Sequence, residues 1–169
     1  MPSWLLVGIA CLVFVLDQWS KWWIKCHYDL GASTSLLGHW VRLSHCHNTG
    51  GAFSLLVGHT GFFLVVGVAV TVLLFFSLPK ISKLPTVTAG AYALILGGAI
   101  GNLVDRFRFG FVVDFIDFGR DANWWPVFNI ADSGITIGIV LLGWSVLTGK
   151  DSFPGDHPAP VPAPAAPAA

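Results

Sequence analysis

Two aspartates eighteen positions apart sit in settings that should pull their ionisation apart. Asp114 lies in Val112-Val113-Asp114-Phe115-Ile116-Asp117-Phe118, and Asp132 in Phe128-Asn129-Ile130-Ala131-Asp132-Ser133. A carboxyl flanked by Val113, Phe115 and Phe128 is hard to ionise, whereas one in the first turn of a helix is held as an anion by backbone N–H groups. Unequal acids can divide proton chemistry, one holding a proton while the other accepts one. Asp132 also has a plain structural reading, because Asn129 resembles an N-cap with Asp132 at N3. Capping does not account for Asp114. All nine acidic residues are aspartate, and five of them fall between Asp105 and Asp132 amid apolar sequence. Charge beside hydrocarbon costs several kcal/mol unless paired, hydrated or protonated, so such a cluster points to function.

Further polar groups gather at the ends of apolar runs. Asp17, Ser20 and Lys21 are spaced i, i+3, i+4 and share a helix face, so Asp17 and Lys21 can pair. They either hold a ligand or form an interfacial ion pair, with Lys21 and Lys25 snorkelling beside a belt of Trp19, Trp22 and Trp23. Asn102, Asp105 and Arg106 repeat the spacing at another helix end. An Asp105/Arg106 ion pair is the favoured reading there, leaving Asn102 free for substrate. Asn48-Thr49-Gly50-Gly51-Ala52-Phe53 offers an amide and backbone open to close approach, which suits an extended peptide as well as a turn. His45-Cys46-His47 matches no zinc spacing, and its side chains should diverge on a strand, so no metal or other cofactor is expected.

These residues need a membrane scaffold. With 54% hydrophobic and 11% charged residues in 169, and a mean hydropathy of +0.72, the chain is not composed like a water-soluble domain. Apolar runs long enough to cross hydrocarbon occupy Trp4 to Ile24, Gly61 to Leu78, Pro85 to Val104 and Ile130 to Leu147. The expected fold is all-α, four transmembrane helices with a small extramembrane β-rich element between helices 1 and 2, where Trp40-Val41-Arg42-Leu43 suggests a strand. Pro79 to Leu84 is so short that spans two and three must form an antiparallel hairpin. Ala89, Ala93, Gly97 and Gly101 make a ladder of small residues for close packing. Residues 1–150 are expected to be one domain. The Pro/Ala-rich stretch 151–169 is expected to be a disordered tail. The first span lacks a preceding basic residue and runs far past Cys11, so it is expected to stay as an anchor and not to be cleaved. Three cysteines exclude a complete disulfide framework, and a net charge of zero with no basic stripe excludes nucleic acid. Charge does not settle orientation: Lys80, Lys83 and Lys150 lie on the terminal side, but Lys25, Arg42, Arg106, Arg108 and Arg120 lie on the other.

Asp17-Gln18-Trp19-Ser20-Lys21, Asn48 to Phe53, Gly97 to Arg106, Val112 to Asp117 and Phe128 to Ser133, taken in order, resemble the bacterial lipoprotein signal peptidase (signal peptidase II) family. The resemblance implies a monomeric four-span aspartyl endopeptidase of the bacterial cytoplasmic (inner) membrane, with cytoplasmic termini and a site near the outer face. Its partners would be membrane lipid and prolipoproteins carrying a diacylglyceryl group on a cysteine, cut just before that cysteine. Position by position, it implies Asp114 and Asp132 as the catalytic pair. Asn48, Gly50, Asn102, Asp105, Arg106 and Asn129, with Asp17 and Lys21 behind them, would position substrate and hold the site. A transporter relaying ions through Asp17, Asp105 and Asp132 fits less well, since the acids gather at helix ends and no inverted repeat occurs.

Overall fold

The computed structural model describes residues 1–38, 40–51, 58–120 and 123–148. Ala52, Phe53, Lys150 and the Pro/Ala stretch lie outside them. Four helices, α1 (Ser3–His27), α2 (Thr60–Ile81), α3 (Thr86–Phe109) and α4 (Ile130–Leu147), are each long and apolar enough to cross a membrane. Each covers an expected span and, apart from α4, runs a few residues past it. Connectivity sets the sheet, the C-terminal ends of α1 and α3, and the N-terminal ends of α2 and α4 on one side. The α2–α3 hairpin lies on the other, where the Met1 amine donates to Ser82 O at 3.0 Å.

α3 is the central helix, packed against the other three. Its ladder is what allows this: Ala89 and Ala93 are fully buried, and a Cβ on Gly97 would stand 2.5 Å from Ala10 O of α1. Gly98, on the adjoining face, abuts the Ala131 carbonyl of α4 so closely that no Cβ fits. Because the obstacle is backbone, a side chain there must move a helix. Gly98→Val is therefore expected to lower the thermal midpoint in detergent by several degrees and to reduce activity, since Ala131 precedes Asp132. Gly143→Ala, with open space around it, should leave both unchanged; equal midpoints for the two variants would contradict the packing argument. α2 behaves oppositely, with only Leu78 and Ile81 buried. Apart from the side turned to α3, its apolar surface is exposed, as a peripheral helix in lipid requires.

The extramembrane element is larger than the sequence suggested. β1 (Ser33–Leu37) and β2 (Val41–Asn48) come from the first link, but β3 (Val112–Arg120) and β4 (Asn123–Trp124) come from the link between α3 and α4. Together they make an antiparallel sheet in the order β1-β2-β3-β4. The β2–β3 pairing sets Asn48 opposite Val112 and Cys46 opposite Asp114, with a bulge between Leu43 and Cys46. Arg42 and Asp117, opposite one another, form an ion pair at 2.5 Å, and Ser44 adds a hydrogen bond to Asp117 at 3.1 Å. On the face of β3 away from Asp114, Val113 and Phe115 pack on Ile24 of α1, which fixes the sheet to the helix bundle.

Candidate active site

One amide joins the two acids. Asn129 is fully buried, and its Nδ2 donates to Asp114 Oδ1 at 2.7 Å and to Asn102 Oδ1 at 3.2 Å. Its Oδ1 accepts from the Asp132 backbone N–H at 2.9 Å, while its own backbone N–H donates to Asp132 Oδ2 at 3.3 Å, completing a capping box at the start of α4. The cap therefore exists and also serves the acid pair: the residue that starts the helix sets the spacing between the carboxylates. The second oxygen of each acid takes another amide. Asn48 Nδ2 donates to Asp114 Oδ2 at 2.9 Å, and Asn102 Nδ2 to Asp132 Oδ1 at 2.7 Å.

Behind this layer stands a buried ionic layer. Lys21, 2% exposed, donates to Asp17 Oδ2 at 2.8 Å, Asp105 Oδ2 at 3.1 Å and Asn102 Oδ1 at 3.0 Å, which satisfies its three protons. Asp17 Oδ1 accepts the Ala131 N–H at 2.9 Å, so α1 also anchors the first turn of α4. Asp105 Oδ2 accepts the Val113 N–H at 3.1 Å, tying α3 to the strand that carries Asp114. Gln18 Nε2 links Asp17 Oδ2, Gly101 O and Asp105 Oδ1 at 3.1 to 3.2 Å. Sequence reasoning gave Gln18 no role; its only signal is an amide inside an apolar run.

Four sequence expectations are corrected by this geometry. Asp105 pairs with Lys21 and not with Arg106, because neighbours on a helix diverge by roughly 100°. Arg106 instead donates to Gly50 O at 2.9 Å, holding the turn after Asn48. Lys21 does not snorkel; it is enclosed by its acids. Asn102 is not free for substrate, since Lys21, Asn129 and Asp132 take its carbonyl and one N–H. His45 and His47 do not diverge: their rings lie 5.1 Å apart, and strand alternation sends only Cys46 to the other face.

The polar layers close one end of a cleft of about 1100 Å³ between α2, α3 and α4. Val66, Val70, Ala99, Leu103, Ile135 and Ile139 give it apolar walls, and Asn102, Arg106 and Asp132 line its polar end. Asp132 is partly exposed to this space, while Asp114 is 2% exposed. Burial, then the nearby Asp132 charge, pushes Asp114 from 3.8 up to about 7, against the hydrogen bonds from Asn48 and Asn129. A raised folded-state value means that the Asp114 contribution to stability is complete below pH 3.8 and lost as pH climbs through about 7. The thermal midpoint in detergent should therefore decline as pH rises from 3.8 to about 7 and level off above that, and Asp114→Asn should flatten that slope. An unaltered slope would mean that Asp114 is ionised throughout.

Known proteins share this arrangement's sequence and fold. The sequence model of the signal peptidase (SPase) II family matches residues 9–148. A lipoprotein signal peptidase of Moorella thermoacetica is 40% identical over 139 residues, 82% of this chain and 90% of that protein. One from Shewanella baltica is 45% identical over 147 residues, 84% of this chain and 85% of that protein. A bacterial membrane enzyme solved by the in meso method at 2.3 Å resolution superposes with a TM-score of 0.79 at 31% identity, covering 86% of this chain and 88% of the other. A second, solved by the same method at 1.9 Å, gives 0.73 at 33% identity, covering 84% and 92%. With a family match across nearly all the described residues and four helices able to cross a bilayer, the chain belongs to the signal peptidase II family and is a multi-pass bacterial membrane protein.

Proposed function

We propose that this chain is a monomeric aspartic endopeptidase of the bacterial inner membrane. It removes the signal peptide from diacylglyceryl-modified prolipoproteins by cutting just before the lipidated cysteine. The observation that carries the reading is the bridging of the two acids by Asn129, whose side-chain amide bonds Asp114 and whose backbone N–H bonds Asp132, with Asp132 lining the polar end of an apolar cleft. In this reading Asp132, partly exposed at the start of α4, is the ionised base that takes a proton from water. Asp114 carries its proton near neutral pH and hydrogen-bonds the scissile carbonyl oxygen. Attack gives a tetrahedral intermediate; as its C–N bond breaks, the proton that Asp132 took from water passes to the departing cysteine amine and the Asp114 proton stays with Asp114, with no covalent enzyme bond. Asn48, whose amide covers Asp114 Oδ2, turns onto the substrate backbone, which must leave its helix to be cut. Asn129 and Asn102 position the acids and do not bind substrate.

The cleft accounts for the substrate class. An apolar space between peripheral α2 and the α3–α4 pair can accept both a signal helix and acyl chains arriving sideways through the bilayer. The resemblance of the motifs supports placing the sheet and the acids at the outer face and the termini in the cytoplasm. A precursor peptide with a diacylglyceryl cysteine, incubated with purified protein in detergent, should yield a new N-terminus at that cysteine by mass spectrometry. The same peptide without the lipid should be cut at least about a hundredfold more slowly, since the apolar area of its chains is lost from binding. Equal rates would remove the lipid from the recognition step, and binding without cleavage would make the chain a carrier of precursors.

A further inference from the structure

His45 Nε2 is one of three buried side-chain polar atoms with no hydrogen-bond partner among the described residues; the others are Thr71 Oγ1 and Arg106 Nε. Buried polar groups are almost always satisfied, so each exception calls for a physical reason. Arg106 borders the catalytic cleft. His45 faces away from it, on the side of β2 opposite to Cys46, the residue paired with Asp114.

The surroundings of His45 are those of an imidazole prepared as a ligand. It is 6% exposed, and its Nδ1 lies 2.8 Å from Tyr28 O, an acceptor that fixes the proton on Nδ1 and leaves the lone pair on Nε2. An imidazole whose other nitrogen is tied to a backbone carbonyl is the usual outer-shell arrangement of a metal-binding histidine. The neighbouring strand residues hold the 28–32 segment over it: Gly31 N–H donates to His45 O at 2.8 Å and His45 N–H to Ala32 O at 3.0 Å. A second imidazole stands beside it. The His47 ring lies 5.1 Å from that of His45 at 73° and stacks on Phe111 at 3.6 Å. His47 is exposed, so its ring can turn without disturbing the core.

We propose that His45 and His47 form a two-imidazole site for a borderline divalent ion, zinc or copper, on the face of β2 turned away from Asp114, at the edge of the cluster that packs on α1. Imidazole donors favour these ions over magnesium or calcium, which take oxygen ligands. No cluster of three or more histidine, cysteine or acidic side chains suited to a metal occurs among the described residues. Water therefore completes the coordination, and the ion is exchangeable, unlike one in a closed four-ligand site. Because His47 adjoins Asn48, whose side chain holds Asp114, a bound ion also braces the strand that supports the catalytic pair.

The test is calorimetric titration of tag-free full-length protein in detergent, stripped with chelator, with zinc chloride and separately with copper sulfate at pH 7.5. One ion per chain is expected, with affinity falling at least tenfold in His47→Ala and at least tenfold in the wild type at pH 5.5, where protons compete. His47→Ala changes an exposed side chain, and circular dichroism verifies its fold; His45→Gln provides a second variant that keeps an N–H donor for Tyr28 O in the buried position. Loss of binding in both variants supports the site. Absence of binding in the wild type, or one-to-one binding that survives His47→Ala, overturns it. Neither outcome bears on cleavage of lipidated precursors, which is measured separately.

Discussion

Asp114→Asn and Asp132→Asn are each expected to lower kcat on a lipidated precursor by about 10³-fold or more, with KM changed much less. General acid–base groups contribute on the order of 10² to 10⁴ each, and neither role passes to the remaining acid once the other is an amide. The geometry makes the substitutions conservative. Asparagine at 132 keeps an oxygen for the Asn129 backbone N–H, and at 114 it keeps one for the Asn129 or Asn48 amide. Folding should survive, and thermal unfolding in detergent verifies it. The pH profile separates the two roles. In the wild type kcat/KM should fall on the alkaline side as Asp114 loses its proton near pH 7, and on the acid side as Asp132 gains one. A variant at either position that folds and retains cleavage would remove that acid from the mechanism.

Lys21→Met has the second largest expected effect, and it acts on stability. Breaking a buried ion pair by removing one partner costs about 3 to 5 kcal/mol, because the other charge is left uncompensated. Lys21 leaves two behind, Asp17 and Asp105, exposed by 0% and 1%. The variant should lose most of its thermal stability in detergent and much of its yield. Adding Asp105→Asn should recover part of the loss, since one buried charge disappears while either the Val113 N–H or Gln18 keeps an acceptor. If the single variant unfolds at the wild-type temperature, the ionic layer is a surface feature of the hydrated protein and not a buried support.

The contrast between these layers shows what a sequence discloses. The spans, the α2–α3 hairpin and the Asn129–Asp132 cap are local, so apolar run length and residue spacing reveal them. The ladder on α3 is legible too, although its partners are not: nothing in Gly97 or Gly98 tells which meets Ala10 and which meets Ala131. β3 is not legible because Asp114 and Asp117 interrupt its apolar alternation and its partner strand lies about 70 residues earlier. For the same reason helical spacing offers Asp105 its neighbour Arg106, whereas its partner is Lys21, on another helix. Helical spacing predicts which side chains share a face, but only tertiary packing decides what that face meets. The enclosed lysine was the least legible feature, since an amphipathic side chain near a tryptophan belt resembles an interfacial anchor until its three acceptors are known.

Asp114 is held by a strand whose pairing partner precedes α2, and Asp132 opens the last helix, with its first turn secured to α1. A nascent chain halted after three helices would have Asp114 without the Asn129 clamp and without Asp132. In the proposed mechanism, hydrolytic competence therefore arises only when the fourth helix has entered the bilayer, and a partly inserted molecule would be inert toward its neighbours during biogenesis.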